Sequence, residues 1–455
     1  MQLKRDLLRV FSSNFINLIV GIITGFIVPA FLSLDQYAYL KTFTLYVGYV
    51  GILHFGFIDG IHIKYGGKHE EEIKKKELKG EHKFLIIFQF VITLITGILG
   101  LIINDMILIA FSFSILPINM QTYFKFLYQA LGQFNIYSRI VVLTPFLVLI
   151  VNLFNILILK INNFWPFVLG YIIVYYLVFM GLEIYFLNKF KNYSSQTNYT
   201  EVKEHFKIGS IIMLANLSTM FFYSIDRWFV KFTLSVEDFA FYSFSISMMT
   251  VINVLVNSVT MTLYPYLARN RDNKFLNELK KYFLIIGTLS SGGYFAFVFV
   301  INNFLPKYTP SLDVISILFA GYPAIIVINA LYINLYKVQK REKKYATAVL
   351  KMLLVTVLLN FFAITIHKSN YSIAIATTVS FYIWYLYSTK DFPDFKIDTR
   401  EIIYLLVFLM AFLITNSYLK WWSGLFFYFS IIIFISYLLF KNESKNLIKH
   451  LLKGK

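Results

Sequence analysis

A chain of 455 residues, 58% hydrophobic and only 15% charged, carries too little polar surface for a water-soluble fold, where about half apolar and a quarter charged is usual. With no Cys, disulfides, thiol chemistry, iron–sulfur clusters and thiolate zinc sites are excluded, and the seven His lack the HxxxH or HExxH spacing of a metal site, so neither metal nor cofactor is expected. The formal charge of +18 need not mean a nucleic-acid partner, because membrane proteins concentrate Lys and Arg in their cytoplasmic loops.

A membrane helix needs about 20 mostly apolar residues. Such runs fall at 11–33, 40–63, 84–103, 106–130, 137–159, 164–187, 208–232, 239–263, 282–304, 311–336, 346–366, 371–388, 401–419 and 421–440. The first run follows Lys4, Arg5 and Arg9 and has full spanning length without a small-residue cleavage site, so it is expected to be retained rather than removed as a signal peptide. After the second run, the stretch His69-Glu70-Glu71-Glu72-Ile73-Lys74-Lys75-Lys76 reads as a solvated helix with Glu–Lys pairs three and four apart. Beyond the last run, a basic tail over 441–455 sets Leu447, Ile448, Leu451 and Leu452 on one face, which suits anionic lipid headgroups.

With the N-terminus placed inside, 35 Lys and Arg fall on the cytoplasmic side and 7 on the outer side, which supports both the alternation of fourteen spans and cytoplasmic termini. The outer connections are short, the longest about ten residues near Lys307, and leave no room for an outer catalytic domain. A membrane glycan polymerase, ligase or glycosyltransferase would need one, so the chain reads as a non-enzyme.

An internal repeat organises the spans. Leu32-Ser33-Leu34-Asp35-Gln36-Tyr37-Ala38-Tyr39 recurs as Leu234-Ser235-Val236-Glu237-Asp238-Phe239-Ala240-Phe241, 202 residues later, with three identities and four like-for-like exchanges. An even-numbered repeat keeps its orientation, so the expected fold is all-α, with two six-helix lobes related by a parallel pseudo-two-fold axis and two extra C-terminal helices. The lobes are expected at 1–190 and 208–388, with a cytoplasmic linker at 191–207, helices 13 and 14 within 389–440, and the tail at 441–455.

Four stretches in order carry a family resemblance: Leu32 to Tyr39, Phe55-Gly56-Phe57-Ile58-Asp59-Gly60, Gln129-Ala130-Leu131-Gly132-Gln133-Phe134, and Ser224-Ile225-Asp226-Arg227. Over roughly residues 1–390 the chain resembles the bacterial oligosaccharide (Wzx-like) flippases of polysaccharide biosynthesis, in the superfamily shared with lipid II flippases and MATE exporters. Ala38 and Ala240 stand where that family usually has Gly. The resemblance implies a multi-pass protein of the bacterial cytoplasmic membrane. It would translocate a polyprenyl pyrophosphate-linked oligosaccharide by alternating access, among membrane lipids, beside a glycan polymerase of the same pathway, with H+ or Na+ coupling open. The alternative is a MATE-like cation-coupled small-molecule exporter, for which acidic rather than basic intramembrane residues would be favoured.

A charge at bilayer depth costs a few kcal/mol, about 2.5–3.5 on insertion scales, unless it meets a cavity or a partner. Under this resemblance Arg139, Lys125 and Arg227 are candidate phosphate contacts, with Arg suited to phosphate by its fork. His54 is either a satisfied neutral imidazole or a titrating headgroup contact. Asp226 and Asp59 are candidate coupling-ion residues, and Asp59 could instead pair with Lys64. Gly56 and Gly60 allow close helix approach.

Overall fold

The computed structural model describes residues 2–269, 272–392, 395, 397–441 and 443, so the expected basic tail lies outside the described residues apart from Lys441 and Glu443. Two compact units make up the chain, Met1–Leu217 and Ser218–Lys455. Among the described residues every regular element is helical. The protein is an all-α, polytopic membrane protein.

In the first unit α1 (Gln2–Phe31) leads through Ser33 into α2 (Leu34–Gly48), whose first turn places Asp35 at the positive helix end. A tight 3₁₀ stretch at Val50–His54 and two left-handed residues, Phe55 (φ 51°) and Gly56 (φ 83°), then turn the chain by 60° into α3 (Phe57–Tyr65). The second expected span is therefore broken. Carbonyls freed by such a break have no water to turn to in an apolar layer and need internal donors. Gln89 donates to Leu53 O at 3.2 Å, and Asn119 donates to Val50 O at 3.3 Å and to Gln89 Oε1 at 2.7 Å. Both side chains are fully buried.

Gln89 lies on α4 (Lys75–Ile102), which buries Leu78, Leu85 and Gln89 along one face and turns Leu94, Ile95, Ile98 and Ile102 outward, where lipid would solvate them. The stretch His69–Lys76 is not the single helix its charges suggest. Glu70–Glu72 form one 3₁₀ turn, Ile73 is extended and buried, and α4 starts at Lys75. Tertiary partners outweigh local pairs here: Glu70 takes Lys189 at 2.8 Å and the Gln133 amide at 2.5 Å. Asp105 caps α5 (Met106–Ala130) by accepting from Ile107 N and Leu108 N. The unit continues through α6 (Phe134–Leu153), a π-turn at Phe154–Ile158, α7 (Trp165–Lys189) and α8 (Tyr199–Phe222). Its core joins Phe57, Ile61, Leu85, Met120 and Phe124.

Because α8 starts at Tyr199 and the units divide after Leu217, most of this helix belongs to the first unit. Past a kink at Tyr223–Ser224 follow α9 (Ile225–Thr233) and α10 (Val236–Arg269). Ser235 and Asp238 bond reciprocally at the start of α10, Ser235 N to Asp238 Oδ2 at 3.2 Å and Asp238 N to Ser235 Oγ at 3.1 Å. Next, α11 (Asn273–Ser291) and α12 (Gly293–Phe304) share one long span, and α13 (Ser311–Phe319) bends by 47° into α14 (Tyr322–Val327), a π-turn at Ile328–Tyr332 and α15 (Ile333–Val338). The chain closes with α16 (Glu342–Ile366), α17 (Asn370–Ser388), α18 (Thr399–Tyr418) and α19 (Trp421–Leu439). Caps on Ser369 and Asp398 start α17 and α18.

Among the described residues ten helices are long and apolar enough to cross a membrane, or up to twelve with each bent pair counted as one span. The remaining two expected runs are the helices α10 and α17. Asn370, Ser372, Thr377, Thr378 and Ser380 lower the hydropathy of α17.

Candidate functional site

Each unit supplies its own charged groups. In the first, α1 and α6 border a groove of about 650 Å³ lined by Arg9, Ser12, Ser13, Asn135, Ser138 and Arg139, with Ile16, Val142, Leu143 and Phe146 forming an apolar wall. Arg139 is exposed and lines this space together with Arg9, a second guanidinium that the sequence shows only as one of the basic residues ahead of the first apolar run. Two guanidiniums on one groove can bind phosphate oxygens in forked pairs, while the apolar side tolerates hydrocarbon. Lys125 sits half-buried on α5 and is not among the residues lining this groove.

At the bend between α2 and α3 the structure brings His54 and Asp59 together. The Gly56 N–H donates to His54 Nδ1 at 3.1 Å, which leaves the ring hydrogen of the neutral imidazole on Nε2. That Nε2 lies 3.9 Å from Asp59 Oδ2, and both residues are buried. At that separation the two do not form a hydrogen bond, so the carboxylate can still accept from a cation. Pairing of Asp59 with Lys64 does not occur: five residues along a helix set the two about 140° apart. Lys64 instead bonds Glu81 Oε1 at 2.7 Å and meets Glu201.

That ammonium belongs to a buried cluster. Glu81 of α4 accepts from Lys64, from Tyr65 Oη at 2.8 Å and from His205 Nε2 at 2.9 Å, which joins α3, α4 and α8. Ligand atoms of Glu81, Glu201 and His205 lie within 4.8 Å of one another. This is the spacing of a metal site, with the Lys64 ammonium bonded to both carboxylates. One layer away His82 bonds Glu183 Oε2 at 2.9 Å. Glycine makes the approach of α8 possible. A Cβ on Gly60 would stand 2.4 Å from His205 O, and one on Gly209 would overlap Gly56 O. Glu81 falls in the highly charged stretch between the second and third apolar runs, where a carboxylate draws no notice, so the sequence hides it. The available signal was Glu201 and His205, four apart on one helical face.

In the second unit the first turn of α9 carries Asp226 and Arg227. Asp226 is fully buried, accepting from Tyr242 Oη at 2.8 Å and from Arg227 N at 2.8 Å. Its carboxylate is thus held by fixed donors rather than exposed to headgroups, while Arg227 is half-buried beside it. A second buried charge, which the sequence reading placed in a loop, is Lys280 of α11. It bonds Glu401 of α18 at 2.9 Å and Phe395 O at 3.1 Å, fastening the C-terminal helix pair to this unit.

No protein-family model and no curated protein matches the sequence. Among solved structures, the lipid II flippase MurJ in an inward-closed conformation superposes with a TM-score of 0.66 at 16% identity, over 96% of this chain and 99% of that one. A Vibrio cholerae MATE transporter, a mutant of VcmN, gives 0.48 at 14% identity, over 86% of this chain and 98% of its own. A MATE protein in complex with Br-NRF gives 0.44 at 13%, over 87% of this chain and 97% of its own. The chain has the fold of the MurJ flippase.

Proposed function

We propose that this protein is a flippase that moves a polyprenyl pyrophosphate-linked oligosaccharide across the bacterial cytoplasmic membrane by alternating access, for assembly of a surface polysaccharide. The observation that carries the reading is the groove of α1 and α6, where Arg9 and Arg139 face an apolar wall. A lipid-linked sugar has the matching chemistry: anionic phosphates, a polar glycan and a hydrocarbon tail. A MurJ-like fold over nearly the whole chain adds support, since that neighbour is a flippase of lipid II.

Arg139, Lys125 and Arg227 would then contact phosphate, with His54 as a further headgroup contact. Asp226 and Asp59 would serve H+ or Na+ coupling. Both termini would be cytoplasmic, and a glycan polymerase would use the exported unit. The test is mass spectrometry of lipid-linked sugars in a strain lacking the protein, with its surface glycan measured in parallel. Accumulation of a complete lipid-linked unit with loss of surface polymer is expected, reproduced by the double substitution Arg9→Ala/Arg139→Ala at normal protein level. Unchanged lipid intermediates and normal surface glycan would overturn the reading in favour of small-molecule export.

A further inference from the structure

Glu81, Glu201 and His205 play no part in the proposed transport, yet their ligand atoms converge within 4.8 Å, and among the described residues no other set of three His, Asp or Glu does so. Two helices supply them: Glu81 comes from α4, while Glu201 and His205 stand four apart on one face of α8. That spacing is the one used by a helical pair of metal-binding imidazoles, with a carboxylate in place of one of them, so a search for two His passes over it. Glu81 and His205 are almost wholly shielded, at 1% and 3% exposure.

The groups around them hold these ligands in place. Tyr65 Oη donates to Glu81 Oε2 at 2.8 Å, which leaves Oε1 to face His205 Nε2 at 2.9 Å. Outer hydrogen bonds of this kind orient a metal-binding carboxylate. The Tyr123 hydroxyl is buried without a hydrogen-bond partner and lies close enough to Glu81 to feel its charge, so it can donate to a water carried by an ion. Phe57 closes the apolar side, its ring edge against His205 at 5.3 Å between centroids.

A cation already stands between the two carboxylates. The Lys64 ammonium is 2.7 Å from Glu81 Oε1 and in contact with Glu201. Its side chain is 21% exposed and belongs to the last turn of α3, just ahead of Gly66 and Gly67, so its flexible stem can carry the charge out to water. A divalent ion in its place balances two carboxylates exactly as many times as they are charged, with a neutral imidazole as third ligand. One nitrogen and two oxygens suit Zn2+ and its first-row neighbours, whereas Ca2+ and Mg2+ prefer oxygen alone and Cu+ prefers sulfur.

We propose that Glu81, Glu201 and His205 form a binding site for a divalent transition-metal ion, with Lys64 as its internal competitor. Bound metal ties α4 to α8 through three ligands at about 2.0–2.2 Å and leaves a fourth position to water. α3 then gives up its Lys64 contacts with both helices. The site does not rest on the flippase reading.

The test uses the untagged full chain in lipid nanodiscs, stripped with chelator and titrated with Co2+ near neutral pH. Because the chain has no Cys, visible Co2+ bands report nitrogen and oxygen ligands. Uptake of one Co2+ per chain is expected, with the bands of a four-coordinate ion, abolished when Zn2+ is added. His205→Ala and Glu81→Gln are expected to lose the bands. Tyr65→Phe should weaken binding by about 10–100-fold, and Lys64→Met should tighten it. The last two variants keep all three ligands, so the result does not hang on whether a ligand variant folds. A wild-type chain that takes up no Co2+ in stoichiometric amount overturns the site. So do bands that persist in His205→Ala, or weaker binding in Lys64→Met. No glycan enters the titration, so failure here leaves the export test standing, and the reverse holds too.

Discussion

Asp226 shows what a single residue in an apolar layer requires. A carboxylate in an apolar run was legible from sequence alone, but its partner was not. Tyr242 lies sixteen residues on, across a turn, and reads as one more aromatic of a lipid-facing helix. Tyr242→Phe removes the hydroxyl and leaves a buried charge short of a donor. A loss of about 1.5–3 kcal/mol is expected for a bond to a charged group, measured as a lower thermal midpoint in detergent; an unchanged midpoint would show that Asp226 finds another donor. Lys280 is the harder case. Sequence places it in a basic cytoplasmic loop, whereas its side chain is fully enclosed against Glu401. Lys280→Met strands that carboxylate and is expected to cost about 3–5 kcal/mol. Pairing it with Glu401→Leu should recover most of the loss, because two apolar groups fill the space without an orphaned charge.

Helix ends were easier to foresee than helix breaks. Asp105, Ser369 and Asp398 each serve backbone N–H groups at the start of a helix and stand just ahead of the apolar runs at 106–130, 371–388 and 401–419. The break at Phe55–Gly56 was not visible, since Gly is common inside membrane helices and carries no signature of positive φ. Helices in lipid gain little from apolar burial against each other, so close packing at small residues matters more. Gly209→Leu is accordingly expected to part α8 from α3, with loss of the folded, monodisperse protein on size exclusion. Gly181 of α7 has nothing within 4 Å of an added Cβ. Gly181→Ala should therefore be tolerated, or stabilise by about 0.5–1 kcal/mol through helix propensity. If both substitutions behave alike, glycine proximity is not what seats α8.

At the scale of the whole molecule, the all-helical character and the order of the apolar helices came through, with up to twelve of the fourteen expected spans long and apolar enough among the described residues, because hydropathy is a property of the chain itself. Lateral arrangement came through less well, because it depends on side-chain pairs distant in sequence, such as Glu81 with His205. The charge sorting yields its own test. Single Cys at Lys76 and Lys343 should react with a membrane-impermeant maleimide only from the cytoplasmic side, and Cys at Lys368 and Lys420 only from outside. Labelling of Lys343→Cys and Lys368→Cys from the same side would mean that α16 does not cross the bilayer.

The extent of α8 also bears on how the protein is made. Lys64, Tyr65 and Glu81 leave the ribosome long before Glu201 and His205, and the first compact unit closes only at Leu217. Until then the nascent chain holds a carboxylate at the membrane edge with part of its donor set unsynthesised. The early helices therefore lack part of their packing and hydrogen-bond partners until α8 arrives. A gene split between residues 191 and 198 would strand the first fragment in that state, whereas fragments overlapping through α8 would let it finish.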